Sequence, residues 1–301
     1  MATTTTASSG VVPRALPVAP TSIGGRLRLA WDEVSFEVDA ATGGRVTGLY
    51  LGERNLLTGP EVDAGNYGST FWTSPQSAWG WPPVPEIDHG RYAATVEPNG
   101  FVMRSAVSPV LGVDVEKRFA ADRGRGAVIL DVRVSNRGRA PVALAPWQIS
   151  RVAPGGLSFF PTGDGIFAPS NLAVREAGGL TFYAYDAAAI TDHQKLFADG
   201  REGWLAHVAG DALLVKIFAA VPRAAQAPGE AQIEIYANPA HSYVELEVQG
   251  AYETIAPDAA LDWRVIWLVR RLPHGLAAGV GSAALVDEVR ALVASDRRAA
   301  G

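Results

Sequence analysis

The sequence predicts an all-β fold, a sandwich or barrel built from many short antiparallel strands. Three observations predict it. From about Gly25 onward, apolar and polar residues alternate with period two in more than a dozen short segments. Gly, Pro, Asn and Asp punctuate those segments, and one stretch alone has the spacing of an amphipathic helix. Period-two runs between turn residues are half-buried strands, and their short spacing favours a sandwich or barrel over a βαβ plan.

The first strand, "VSFEVDA", puts Val34, Phe36 and Val38 on one face, and "RVTGLYLG" follows after a Gly-Gly turn. The same alternation returns in "RYAATVEP", "FVMRSAV", "GVDVEKRF" and "AVILDVRVSN". It continues through "VALAPWQISRV", "LTFYAY", "WLAHV", "ALLVKIF", "QIEIYA", "YVELEVQ" and "LDWRVIWLV". "GDG" at Gly163–Gly165 reads as a turn. The helix is "GSAALVDEVRALVASDRR": Leu285, Val286, Val289, Leu292 and Val293 recur at helical spacing, with Ser282 as N-cap. It is expected to cap one end of the β structure.

At 301 residues the chain is long enough for one large domain or two ordinary ones. No composition break marks a linker, so one β domain over 25–301 is expected. Residues 1–24, rich in Thr, Ser, Pro and Ala, read as a disordered leader. That leader lacks the charged and continuous apolar regions of a secretory signal. The cytoplasm is therefore the default expectation, with the periplasm and secretion left open. The net charge of −5 and the absence of Lys or Arg runs argue against a nucleic-acid partner, which needs a basic stripe. No apolar run approaches the ~20 residues that span a bilayer, so no membrane partner is expected, and the oligomeric state stays open. There are no cysteines, which removes disulfides, thiol nucleophiles and Cys-based zinc sites. The five histidines form no HxH, HExxH or HxxxH pair, and no P-loop, GxGxxG or GxSxG context appears. No metal and no cofactor are expected.

Five stretches carry candidate chemistry. "FWTSPQSAWGWPP" packs Trp72, Trp79, Trp81 and Gln76 among three prolines. Proline cannot donate to a strand ladder, so the segment is not expected in a central strand. Its tryptophans either plug the end of a sandwich or present flat rings and an amide to a sugar, whose C–H faces are apolar and whose edge is polar. In "SYVELEVQGAY", Glu245, Glu247 and Gln249 share one strand face. That face is either solvated or lines a cavity, where two carboxylates raise each other's pKa and one becomes a base. "APWQISRV" holds Trp147, Gln148 and Arg151, the last two spaced so that they need not share a face. Lys216 in "LLVKIF" is a lone charge that either snorkels at an edge or points into a polar pocket. His193 in "TDHQK" sits either on the surface or within reach of a cleft.

The runs "GGRVTGLYLGERNLL", "GSTFWTSPQSAWGWPP", "LLVKIF" and "YVELEVQGAYETIAPDAALDWRVIW" together resemble a bacterial domain-of-unknown-function family of the galactose-mutarotase-like superfamily. The likeness covers nearly the whole chain after the leader. It implies a β-supersandwich whose concave face holds a carbohydrate. In mutarotases a late-strand Glu takes the anomeric proton while a His protonates the ring oxygen. Glu247 matches that Glu by its distance from Pro257, with Glu245 the rival. The segment that should carry the His corresponds to "APWQISRV", where Trp147 and Gln148 stand instead. Glutamine is neutral and cannot deliver a proton, so Arg151, Lys216 or His193 would have to substitute. The resemblance thus implies a carbohydrate site with Glu247 as catalytic base and Trp72, Gln76, Trp79, Trp81, Gln148, Arg151, Lys216 and Glu245 as binding residues. Aldose 1-epimerisation or a related proton transfer is one reading, and a non-catalytic carbohydrate-binding protein is the other.

Overall fold

A computed structural model of the chain describes residues 16–167 and 169–300. The expected leader falls outside the described residues as far as residue 15. Its remainder is tied down, with Pro17 bridging to Asp122 and Thr21–Ile23 pairing with Arg26–Trp31.

Two large antiparallel sheets account for nearly all strands. The first runs, neighbour to neighbour, through Thr21–Ile23, Arg26–Trp31, Val34–Asp39, Arg45–Leu51, Ser69–Ser74, Val142–Val152, Val244–Gln249, Ile233–Ala237 and Gln194–Gly200. The second runs through Ala93–Glu97, Gly100–Arg104, Val113–Asp122, Ala127–Asn136, Ala260–Arg271, Ala212–Phe218 and Trp204–Ala209. The strand Leu157–Ile166 belongs to both. Its first half pairs with Trp204–Ala209 and Leu180–Ala184, and its second half crosses to Gln194–Gly200 through a register shift. Gly163–Gly165 lies inside this crossing strand, so the expected turn is instead the place where the strand changes sheet.

Alternation explains how the layers pack. In Ala260–Arg271, Val265, Trp267 and Val269 face the other sheet, whose Phe36 and Leu246 share the main core with them. Ile266 and Leu268 face the opposite way, into a second core with Trp204, Phe159, Leu285, Val289 and Val293. The helix Ala283–Ala300 therefore lies across the outer face of the second sheet, which corrects the expectation that it caps an end. Covering that face makes these strands apolar on both sides. Ser282 caps the helix as expected, its Oγ accepting from the Leu285 amide at 3.3 Å. Two buried lysines sit between the layers. Lys216 donates to the Leu246 carbonyl at 2.8 Å, and Lys117 to the Gly43 carbonyl at 2.7 Å. Gly43 is required at this turn, since its φ is +68° and a side chain there would strike the Asp88 carbonyl.

Candidate functional site

The site grows out of register. On the face of the first sheet turned away from the second, Trp72 lies opposite Trp147, and Trp147 opposite Gln249. One pair further along, Ile149 faces Glu247 and Glu247 faces Glu234. In the next row Arg151 faces Glu245, Glu245 faces Tyr236, and Tyr236 faces Lys195. Because side chains alternate along each strand, these three rows put indoles, carboxylates and cations on one surface. The intervening residues Leu246, Val248, Ile235 and Leu196 go into the main core. The loops above turn the surface into a cavity of about 550 Å³.

The stretch "FWTSPQSAWGWPP" divides at its first proline. Phe71–Ser74 forms the end of a central strand, which corrects the expectation that the whole segment lies outside the sheet. The prolines begin only at Pro75, so nothing in the preceding residues prevents ladder pairing. After it, Gln76–Ala78 makes one 3-10 turn whose Gln76 amide donates to Glu230 at 2.8 Å. Trp72 is anchored by its indole N–H on Asp88 at 2.7 Å. Trp79 donates to the Thr73 carbonyl and packs edge-on behind Trp72. Trp81 is 62 % exposed and meets Trp72 edge-on from the cavity side.

Charge is concentrated below these rings. Lys195 lies 2.6 Å from Glu234 and 3.0 Å and 3.1 Å from the two oxygens of Glu247. The contact to Glu247 Oε2 is a hydrogen bond, and the other two are ion-pair contacts. Glu247 is fully buried and also accepts from the Trp147 indole at 2.9 Å. Arg151, equally buried, pairs with Glu245 at 2.8 Å. Burial pushes the Glu234 carboxyl well above its ordinary value, opposed by Lys195 and reinforced by Glu247 and Glu230. Burial also raises Glu245, with Arg151 opposing. For Lys195 burial acts downward, but Glu234 and Glu247 outweigh it and hold the ammonium above its usual range. Among the described residues, no cluster of His, Asp and Glu has a metal-holding arrangement, and no helix is long and apolar enough to cross a membrane.

Of the residues singled out from the sequence, Trp72, Gln76, Trp81, Glu245 and Glu247 line the cavity. Four do not. Trp79 stands one layer behind Trp72, and Arg151 stands behind Glu245. Gln148 and Lys216 point the other way. The Gln148 oxygen accepts from the Trp267 indole at 3.0 Å, and Lys216 is sealed over the same ring. Both occupy inward positions of their strands, so neither reaches a guest. His193 does line the cavity, its Nδ1 2.6 Å from the Tyr236 hydroxyl.

Sequence reasoning missed Lys195, Tyr236, Tyr243, Asp63, Asn66 and Asn238, all on the cavity wall. For Tyr236 a signal existed, since "QIEIYA" alternates Glu234 and Tyr236 against Ile233 and Ile235 just as "VELEV" does. Lys195 had less: its strand, Gln194–Gly200, ends in small and polar residues that hide the alternation.

The family described as Domain of unknown function (DUF4380) matches residues 25–270. Among solved structures the chain is similar to a galactose mutarotase-like protein from Clostridium acetobutylicum, with a TM-score of 0.56 and 9% identity over 86% of this chain and 100% of that one. It is similar to a candidate aldose 1-epimerase from Escherichia coli K12, with a TM-score of 0.56 and 10% identity over 81% and 98%. A galactose mutarotase-like protein from Lactobacillus casei gives a TM-score of 0.54 and 9% identity over 82% and 100%. No curated protein matches the chain. At these identities the likeness is one of fold, a galactose mutarotase-like β-sandwich carrying a C-terminal helix.

Proposed function

The chain belongs to the family described as Domain of unknown function (DUF4380), and for this member we propose that the cavity binds a sugar. One observation carries the reading: indoles from a strand and the loop that follows it, and carboxylates from a strand some 170 residues away in the chain, surround one cavity. Its volume falls within the ~300–1,000 Å³ of small-molecule sites. Trp81 and Trp72 offer rings to the C–H faces of a pyranose. Gln76, Asn66 and Asn238 offer amides to its hydroxyls, and Glu245 and Glu247 accept from them. Calorimetry against mono- and oligosaccharides tests this. Binding should weaken roughly tenfold in Trp81→Ala, a change at an exposed side chain that spares the core. Failure of every sugar to bind the wild-type protein overturns the proposal.

A second reading, proton transfer of the aldose 1-epimerase type, is favoured by His193. Its ring lines the same cavity as Glu247, and so supplies the donor that "APWQISRV" lacks. In this reading Glu247 takes the anomeric hydroxyl proton while His193 protonates the ring oxygen. The ring opens, the C1–C2 bond rotates, and reclosure on the other face returns both protons. Anomer exchange followed by NMR on a panel of aldoses should slow in Glu247→Gln and His193→Ala. Rates equal to wild type in both variants leave binding as the function.

A further inference from the structure

The charge arrangement names the kind of sugar. We propose that the cavity selects its guest by charge, taking sugars that carry no phosphate or carboxylate group and holding an amino sugar at least as well as its neutral parent. This rests on the sugar-binding reading above and narrows it.

The cations near the cavity are Lys195 and Arg151, and both are already matched. Lys195 forms ion pairs with both Glu234 and Glu247 and donates a hydrogen bond to Glu247. Arg151 is fully buried behind the wall, its Nε 2.8 Å from Glu245 in an ion pair and one Nη donating to Thr70. Its other Nη, without a hydrogen-bond partner, lies buried and out of a guest's reach. Around them stand Glu230, Glu234, Glu245 and Glu247, with Asp63 on the cavity wall. Carboxylates therefore outnumber cations, and Lys195 and Arg151 leave no unpaired positive charge on the wall. A phosphate entering this space would meet like charge across a partly open cavity, a repulsion that salt screens in part. It would also lose its hydration without gaining the bidentate or ammonium partner that phosphate sites provide. Proton uptake by Glu234 would reduce the repulsion and leave Lys195 still matched by Glu247, and Arg151 stays buried behind Glu245, out of a phosphate's reach. An ammonium has the opposite experience. It meets the Glu245 and Asp63 side of the cavity, beside the Tyr236 and Tyr243 rings, whose faces attract cations.

The test is run at about pH 8, above the ordinary range of imidazole protonation. Calorimetry compares glucose and galactose with their 2-amino, 6-phosphate and uronic acid forms. The expected order is amino sugar equal to or tighter than parent, with phosphate and uronate at least roughly tenfold weaker than parent. The phosphate penalty should shrink as salt is raised. It should also shrink about threefold in Asp63→Asn. That variant keeps the oxygen which accepts from the Gly65 and Asn66 amides, and so preserves the loop. A phosphate or uronate that binds as tightly as its parent overturns the charge inference while sugar binding stands. So does a penalty unchanged by both salt and Asp63→Asn. If no sugar of any charge binds, the sugar-binding reading falls and this inference falls with it.

Discussion

Lys195 holds the floor of the cavity together, because two buried carboxylates from neighbouring strands converge on it. Removing one partner of a buried ion pair leaves an uncompensated charge, which costs far more than the pair itself contributes. Lys195→Met should therefore destabilise the protein by about 3 kcal/mol at neutral pH, read from urea unfolding. Adding Glu234→Gln should restore a good part of that loss. An unchanged unfolding midpoint in the single variant would mean that water already reaches both carboxylates. The sequence made the neighbouring Glu245 and Glu247 visible through alternation. It gave no sign of Lys195, which meets Glu247 only through two strand pairings.

The C-terminal helix was readable because its signal is local. Leu285, Val286, Val289 and Val293 recur at helical spacing, and Ser282 precedes them. What it covers was not readable, since the second core it completes draws on strands from Ala127 to Leu268. Leu285 is fully buried there. Leu285→Ala should cost about 2–4 kcal/mol of stability, from lost burial and the cavity left behind. Its effect on sugar affinity should be absent, because the helix and the cavity lie on opposite faces of the two-sheet stack. The strands divide the same way. Those with clean alternation were evident from the residues, whereas Leu157–Ile166 and Gln194–Gly200 were not. The first carries Pro161 and two glycines where it passes from one sheet to the other, and those residues erase the periodic pattern.

At the scale of the whole molecule, packing one sheet on the other buries titratable groups that strand alternation leaves facing inward. Lys117 is 2% exposed, and burial brings its pKa down from 10.5 to about 7, with Asp88 opposing. Between those two values the unfolded chain binds a proton that the folded chain does not, so stability rises with pH through that window. Urea midpoints taken at about pH 7 and pH 9 should show this slope in the wild type and a flatter one in Lys117→Met. Identical slopes would show that Lys117 stays charged in the fold. By itself the sequence determined the all-β class, most strands, the helix and the polar face that carries Glu245 and Glu247. Each of these follows from a repeat of two or 3.6 residues that neighbouring side chains already express. Only the tertiary structure decided that Gln148 and Lys216 turn into the core, that Trp79 and Arg151 stand a layer back, and that Lys195 and His193 join the wall. Which side of a strand meets a guest depends on what covers the other side, and that covering comes from other strands, 30 positions away for Lys216 and 119 for Gln148.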